Sequence, residues 1–550
     1  MAFSRRGFLG RSGLVAAGSL AFPFIGRSAD APARAGQKPR HIIHMVADGM
    51  SAGTLTCADH FSQILRKRGL TWMQLYNHPG AQPGLMNMRS LNSLVTDSSA
   101  ASSSWGSGSR IVNGTVNILP DSKVLTTLYE LFAQKGWKRG LVTTTEITHA
   151  TPAGFVASGL KREAAEPIAT QYLDRRVEVL LGGGQKFFDA TKRKDKRDVR
   201  GDYVKAGYEV MALADDLAKA PKDKPWLGIF SLSHLPFTLD QRIDAKLKAT
   251  VPTLAVMTRR ALEKLENEEH FILQVEGGRV DHACHTCDAA AALHDQIAFD
   301  DAIDVCVEFQ KRNPDTLIVI TTDHGNGNLG LNGMGTIYGF SSPLFANLKQ
   351  IRSSVSEMMK LLIKTPFKPG ENTNEPEVPA PVTGAKPAPG TKPEPAPATA
   401  PGAVPEPPKV PIKTASTKEV IQIIGDLTGY KVPTEKAEML MPFLLSKGKA
   451  MYSAMNNPVA QLGQLLGNHI GIGWTSNAHT ADYVQILSLG PGAELFRGFI
   501  QNTDVFRHYT ALAGIDFKNP EAPLLADVGP AASDVENLAA YMGLEDEAVG

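Results

Sequence analysis

This chain of 550 residues lacks the sequence features that mark three classes of protein. Its four cysteines are too few for a disulfide scaffold. Its 57 Lys and Arg residues nearly equal its 56 Asp and Glu residues, so no net charge favours binding to nucleic acid or to an anionic membrane. Its early apolar run, LVAAGSLAFPFIG, is broken by Gly, Ser and Pro and is shorter than the roughly 20 residues of a membrane span. We therefore expect no nucleic-acid partner, and any charged functional site must be local.

The N-terminal segment carries two adjacent arginines, Arg5 and Arg6, ahead of this moderately apolar run. Small-residue sites such as Ala33-Arg34-Ala35 follow the run. This order resembles a twin-arginine export signal over residues 1–35. The resemblance implies that the twin-arginine translocation machinery is a partner and that the mature protein is periplasmic or secreted.

Apolar runs typical of strands alternate with helical patterns along the chain. One helical pattern, TTLYELFAQKGWK at residues 126–138, lies just before the strand-like GLVTTT. The alternation predicts an α/β fold in which helices flank a central, mostly parallel sheet in a three-layer sandwich. The predicted strands are 41–47, 140–145, 177–181, 271–275, 317–322 and 483–489.

Proline is concentrated in one segment, residues 366–411, which holds 15 prolines and almost no large apolar side chains. Such a stretch buries too little apolar surface to offset its chain entropy, so we expect a disordered linker. Helical patterns flank it, and the second opens with a capping box from Ser416 to Glu419. We therefore predict a catalytic α/β core over 36–334 and 471–550, interrupted by a helical insertion over 335–470.

Several predicted strands end at residues that commonly bind metal ions: Asp48, Glu276, Asp323 and His324. The carboxyl ends of parallel strands meet at one edge of a sheet, so these side chains are expected to converge. Asp281 and His285 share one helix face if their segment is helical, and the late sequence SNAHT adds His479. A lone polar residue of this kind is usually solvated or capped. The ordered set predicts a multinuclear metal centre.

A serine nucleophile is suggested by VTDSSAASS, in which Asp97 precedes Ser98 and Ser99. A hydroxyl at the start of a helix can meet a phosphate that the helix N–H groups attract. Serine-rich turns are more often simple helix caps, so this motif depends on its partners. The position directly after Asp97 favours Ser98, and Ser99 is the rival.

The string HACHTCD contains Cys284 and Cys287 but lacks the second half of a closed zinc site. We expect buried or loosely paired thiols there and at Cys306, and oxidation is not required.

Together these motifs closely resemble the alkaline phosphatase family over residues 40 to about 345 and 470 to about 515. The resemblance implies an alkaline-phosphatase-like fold with two Zn²⁺ ions and one Mg²⁺ ion. It also implies that Ser98 is the phosphorylated nucleophile and a metal-site residue. Arg162 is implied as the residue that grips the phosphate, with His149 and His282 also binding substrate. The implied ligands are Asp281, His285 and His479 for the first zinc; Asp48, Asp323 and His324 for the second; and Asp48, Thr151 and Glu276 for magnesium.

Two positions depart from some bacterial members, which have Asp where this chain has His149 and Lys where it has His282. Other members, including animal ones, have His at both. Because imidazole accepts Zn²⁺ or Co²⁺ better than Mg²⁺, the identity of the third metal is left open.

The function expected from the resemblance is hydrolysis of small phosphate monoesters through a phosphoserine, by an enzyme that is usually a homodimer. The alternatives are a phosphodiesterase or sulfatase of the same superfamily, or a non-catalytic phosphate- or metal-binding protein. No Cys lies in the CxPxR context of sulfatases. Arg162 suits a terminal dianionic phosphate better than a diester. Retention of the nucleophile with every ligand argues against a purely binding role.

Overall fold

The computed structural model describes residues 38–333, 335, 337–364 and 413–525. The proposed export signal at 1–35, the Pro-rich linker at 366–411 and the last residues of the second core segment, 526–550, lie outside the described residues.

A large sheet of ten strands forms the centre of the described chain. Its order is β14-β2-β13-β8-β1-β7-β3-β4-β6-β5, and only β13 pairs antiparallel with its two neighbours. The predicted mostly parallel sheet is confirmed. The strands are β1 His41–Val46, β2 Gln82–Asn87, β3 Lys138–Glu146, β4 Val179–Gly183, β5 Glu209–Met211, β6 Trp226–Ile229, β7 Phe271–Glu276, β8 Thr316–Thr321, β9 Gly325–Asn326, β10 Gly330–Leu331, β11 Ile472–Gly473, β12 His479–Thr480, β13 Val484–Leu489 and β14 Gly498–Gln501.

Helices cover both faces of this sheet, as side-chain alternation along the strands requires. On β1, Ile43 and Met45 join one buried apolar cluster, whereas Ile42 and Val46 join another on the opposite face. The helices are α1 Ala52–Arg66, α2 Thr71–Leu75, α3 Ser98–Ser107, α4 Leu128–Gln134, α5 Ala150–Gly154, α6 Ala165–Asp174, α7 Val199–Lys205, α8 Ala214–Lys219, α9 Thr238–Ile243, α10 Ala245–Thr250, α11 Leu254–Leu265, α12 Arg279–His285, α13 Ala289–Arg312, α14 Ser341–Ala346, α15 Val355–Leu362, α16 Thr417–Thr428, α17 Thr434–Leu444, α18 Pro458–Ile470 and α19 Asn502–Leu512.

The described residues between 337 and 470 are mainly helical and include a third apolar cluster, built by α15, α16, α17 and α18. The predicted capping box is present: Ser416 Oγ accepts from the Glu419 N–H, and the Glu419 carboxylate accepts from the Ser416 N–H. Ile363 and Thr414 form an antiparallel bridge. The described residues on the two sides of the gap at 365–412 therefore lie side by side.

No helix among the described residues is long and apolar enough to cross a membrane. All four cysteines, Cys57, Cys284, Cys287 and Cys306, are buried free thiols.

Candidate active site

Three adjacent parallel strands, β8, β1 and β7, deliver carboxylates to one edge of the sheet. Val46 of β1 lies opposite Glu276 of β7 and Thr321 of β8. Glu276 is the last residue of its strand, and Asp48 and Asp323 each follow a strand end by two residues. The convergence expected at the carboxyl ends of parallel strands is therefore present.

The first ligand group contains Asp281, His285 and His479. Asp281 and His285 lie on α12, and His285 Nε2 is 3.2 Å from Asp281 Oδ2 and 3.1 Å from His479 Nε2. Each imidazole places Nδ1 within hydrogen-bond distance of a backbone carbonyl, that of Asn477 at 2.8 Å and that of Thr96 at 2.9 Å. Because a carbonyl only accepts hydrogen bonds, each neutral imidazole carries its proton on Nδ1. The Nε2 lone pairs of His285 and His479 therefore face each other. This contact is unfavourable unless a cation lies between the two Nε2 atoms and accepts both lone pairs.

The second group contains Asp48, Asp323 and His324, all fully buried or nearly so. His324 Nε2 is 3.1 Å from Asp323 Oδ2 and 3.6 Å from Asp48 Oδ1. The His324 ring also stacks on His479 of the first group, with centroids 3.7 Å apart. The two groups are therefore immediate neighbours, as a two-metal site requires.

The third group contains Asp48, His149 and Glu276. His149, predicted as a substrate-binding residue whose imidazole leaves the third metal's identity open, has Nδ1 3.8 Å from Glu276 Oε1. Thr151 Oγ1 is 3.4 Å from Asp48 Oδ2, so it borders the same group. The other Glu276 oxygen accepts hydrogen bonds from the hydroxyls of Thr143 and Thr145.

These groups fit cations on their own chemistry. Three buried carboxylate oxygens, Asp48 Oδ1, Glu276 Oε1 and Asp323 Oδ2, accept no hydrogen bond from any described residue. Burial, together with the charges of Asp323, Asp281 and Glu276, raises the pKa of Asp48 well above its usual value. So many buried carboxylates are costly without positive charge between them, and divalent ions supply it.

The two adjacent serines occupy different environments at the start of α3. Ser98 Oγ is 3.2 Å from His324 Nε2, which places it at the second group. Ser99 Oγ instead donates to Asp97 Oδ2 at 2.8 Å. Asp97 is the N-cap of α3, and its other oxygen accepts from the Ala100 N–H. The geometry thus favours Ser98 as the nucleophile.

Arg162 is buried beside Asp97, with Nη1 3.2 Å from Asp97 Oδ2. Burial raises the pKa of Asp97, but the Arg162 guanidinium and hydrogen bonds from Ala100, Ser99 and Gly114 together hold it below its usual value. Asp97 therefore remains a carboxylate that orients Arg162.

A cavity of about 320 Å³ adjoins the ligand groups and is lined by Arg162, His149, His282 and His285. Two further lining residues, His234 and Arg279, were missed by sequence reasoning. The His234 and His282 rings are 4.4 Å apart. His234 lies in the loop after β6, a strand that the sequence pattern did not predict. The sequence therefore gave no indication that His234 lies beside the site.

Comparison with known proteins agrees with this geometry. The family model described as alkaline phosphatase matches residues 39–386. Alkaline phosphatase 3 of Bacillus subtilis is 29% identical over 421 residues, covering 75% of this chain and 76% of that protein. Streptomycin-6-phosphate phosphatase of Streptomyces griseus is 30% identical over 401 residues, covering 65% of this chain and 86% of that protein.

Among solved structures, Thermus thermophilus alkaline phosphatase matches with a TM-score of 0.75 and 30% identity, over 92% of this chain and 97% of that one. The family match spans more than half of the chain, and the fold and the grouped ligands agree with it. The chain belongs to the alkaline phosphatase family and is a phosphomonoesterase.

Proposed function

We propose that this enzyme is exported and hydrolyses small phosphate monoesters through a phosphoserine on Ser98, at a centre of two Zn²⁺ ions and one Mg²⁺ ion. The observation that carries the proposal is the position of Ser98 Oγ, 3.2 Å from His324 Nε2 and directly beside two adjoining ligand groups.

The donor sets support the choice of ions. Asp281, His285 and His479 offer one carboxylate and two imidazoles, a set typical of Zn²⁺. Asp48, Asp323 and His324 would hold the second Zn²⁺. We assign Mg²⁺ to the third group because of its hard oxygens from Asp48, Thr151 and Glu276, and the imidazole of His149 makes Zn²⁺ the competing ion.

When bound, the ions would supply charge that lowers the pKa of a hydroxyl and stabilises a leaving oxygen. The protein's own residues bind and orient the substrate. Arg162 binds two non-bridging phosphate oxygens in a fork, held in orientation by Asp97. His282 lines the same cavity and contacts the bound ester.

In the first step Ser98 Oγ bonds to phosphorus while the ester P–O bond breaks, and the proton lost by the serine is taken up by the departing oxygen, which leaves as the alcohol. In the second step a water oxygen bonds to the same phosphorus, the Ser98 Oγ–P bond breaks, and inorganic phosphate leaves. The serine regains a proton, so each turnover consumes one ester and one water.

The test is an assay of p-nitrophenyl phosphate and bis-p-nitrophenyl phosphate on the full chain, before and after chelation and after Zn²⁺ addition. We expect preference for the monoester, loss of activity on chelation and recovery with Zn²⁺. His479→Ala should prevent recovery, whereas the matched control His508→Ala, on α19 outside the ligand groups, should recover.

Diester preference would instead indicate a phosphodiesterase. Tight phosphate binding without turnover would indicate a binding protein. Full activity after exhaustive chelation would contradict the metal-dependent mechanism.

A further inference from the structure

Arg279, the first residue of α12, is a cation that the proposed mechanism does not use. Its Nη1 donates to His282 Nδ1 at 2.6 Å, and its guanidinium lies over the Phe237 ring, 3.8 Å from the centroid. Its Nε is buried and has no hydrogen-bond partner among the described residues. No carboxylate of the described residues forms an ion pair with Arg279, although the charges of Asp295, Asp240 and Glu146 act on it from a greater distance.

The other charged groups on the cavity wall are already balanced or face solvent. Arg162 is paired with Asp97, as described above. Glu146 forms an ion pair with Lys186 at 2.5 Å, and Glu163 is exposed. Arg279 therefore has no ion-pair partner on the cavity wall, and although burial lowers the pKa of its guanidinium to about 10, the group is charged at neutral pH.

The cavity is larger than a phosphate group needs, and both Arg162 and Arg279 line it. Phe237 and Arg279 form part of its wall, and Ser356 of α15 contributes another part. His285 of the first ligand group also lines it. A substrate whose phosphate lies on Arg162 can therefore direct its alcohol portion into the space beside Arg279.

We propose that Arg279 binds a second anionic group, a carboxylate or a phosphate, on the leaving portion of the substrate. This inference rests on the proposed monoesterase function and adds a substrate class to it. A guanidinium binds either group through charge-assisted hydrogen bonds, and Nη2 is the nitrogen of Arg279 that remains to donate, since Nη1 donates to His282 and Nε is buried. The preferred substrates are then small dianionic esters that carry a further negative charge.

A second role for Arg279 must be separated from this one. Its hydrogen bond to His282 Nδ1 fixes the neutral tautomer with the proton on Nε2. If Arg279 acted only through His282, its loss would slow every monoester by the same factor. If Arg279 binds the leaving group, its loss should lower kcat/KM mainly for esters whose leaving group is anionic.

The experiment compares kcat/KM of the full metal-loaded chain for phenyl phosphate, 3-carboxyphenyl phosphate and 1,3-phenylene bisphosphate. The wild-type protein should prefer the two anionic esters. In Arg279→Gln the ratio of anionic to neutral ester should fall about 10- to 100-fold, the range expected for hydrogen bonds between charged groups. In Arg279→Lys, which keeps the positive charge but not the planar guanidinium, the ratio should fall less.

Arg260→Gln is the matched control, because Arg260 also lies over an aromatic ring, Trp226, but does not line the cavity. It should leave the ratio unchanged. An equal loss for all three esters in Arg279→Gln would overturn the inference, as would a wild-type preference for phenyl phosphate, which needs no variant. Failure of the wild-type protein to release phosphate from any ester would overturn the proposed function and the inference together.

Discussion

Replacement of Gly106 by Ala should destabilise the protein and slow it, although Ala is the better helix former. Gly106 lies in α3, the helix that begins at Ser98, and a Cβ built there would be 1.9 Å from the carbonyl oxygen of Gly154 in α5. Ordinary contact begins at 3.4 Å, so the two helices must separate by roughly 1.5 Å. Ser102 Oγ also donates to the Thr151 carbonyl across this contact.

For Gly106→Ala the cost of overpacking exceeds the gain in helix propensity. Gly to Ala in a helix interior gains about 0.5–1 kcal/mol, whereas overpacking of a rigid contact costs about 1–3 kcal/mol, here near the upper end because the obstacle is backbone. We expect a net loss of about 2 kcal/mol. The separation moves Ser98 relative to Thr151 and the ligand groups, and a shift of about 1 Å can reduce turnover by ~10²-fold.

Urea denaturation and kcat of the metal-loaded variant provide the assay. Gly425→Ala is the matched control: Gly425 lies within α16, and its nearest atom to an added Cβ is the Tyr430 carbonyl oxygen at 3.6 Å. That variant should gain about 0.5–1 kcal/mol and keep its turnover. If Gly106→Ala were as stable and as active as the wild type, the close approach of α3 and α5 would not position the nucleophile.

Three further predictions concern the serines, the arginine and the linker. Ser98→Ala should lose more than ~10³-fold in kcat. Ser99→Ala should have little effect on kcat but should cost about 1–2 kcal/mol of unfolding free energy, because it removes a hydrogen bond to the Asp97 carboxylate. The reverse pattern would make Ser99 the nucleophile. Arg162→Ala should weaken competitive inhibition by inorganic phosphate by about 1.5–3 kcal/mol, and an unchanged inhibition constant would exclude Arg162 from the phosphate site. Replacement of residues 370–408 by a short Gly/Ser linker should leave metal content and turnover intact. The described chain on either side already meets at the Ile363–Thr414 bridge, and loop-closure entropy changes by only ~0.6 kcal/mol per doubling of length. An empty metal centre after the replacement would show that the segment packs on the catalytic core.

The sequence predicted the strands that carry the site better than the strands at the sheet margins. All six predicted runs are strands, including those that precede Asp48 and Asp323. These central strands are continuous apolar runs because both of their faces are buried. The missed strands of the large sheet, β2, β5, β6 and β14, are short or contain Gly or Pro, and they form through pairing with their neighbours rather than from a local sequence pattern.

The same distinction applies to the site. Asp281 and His285 were predictable because their spacing of four places both on one face of α12. The separate environments of Ser98 and Ser99 were not predictable, since they depend on where Asp97 and His324 lie in space. His149 was predicted beside substrate, and its place with Asp48 and Glu276 depends on how α5 packs on the sheet.

The central claim is that Ser98 becomes covalently phosphorylated in each turnover. The most direct measurement mixes the metal-loaded protein with a phosphate monoester, quenches in acid, digests the chain and locates the phosphate by peptide mass spectrometry. The account predicts phosphate on Ser98 in the wild type and none in Ser98→Ala. Turnover of the ester with no phosphorylated serine, or with phosphate on Ser99 alone, would contradict it.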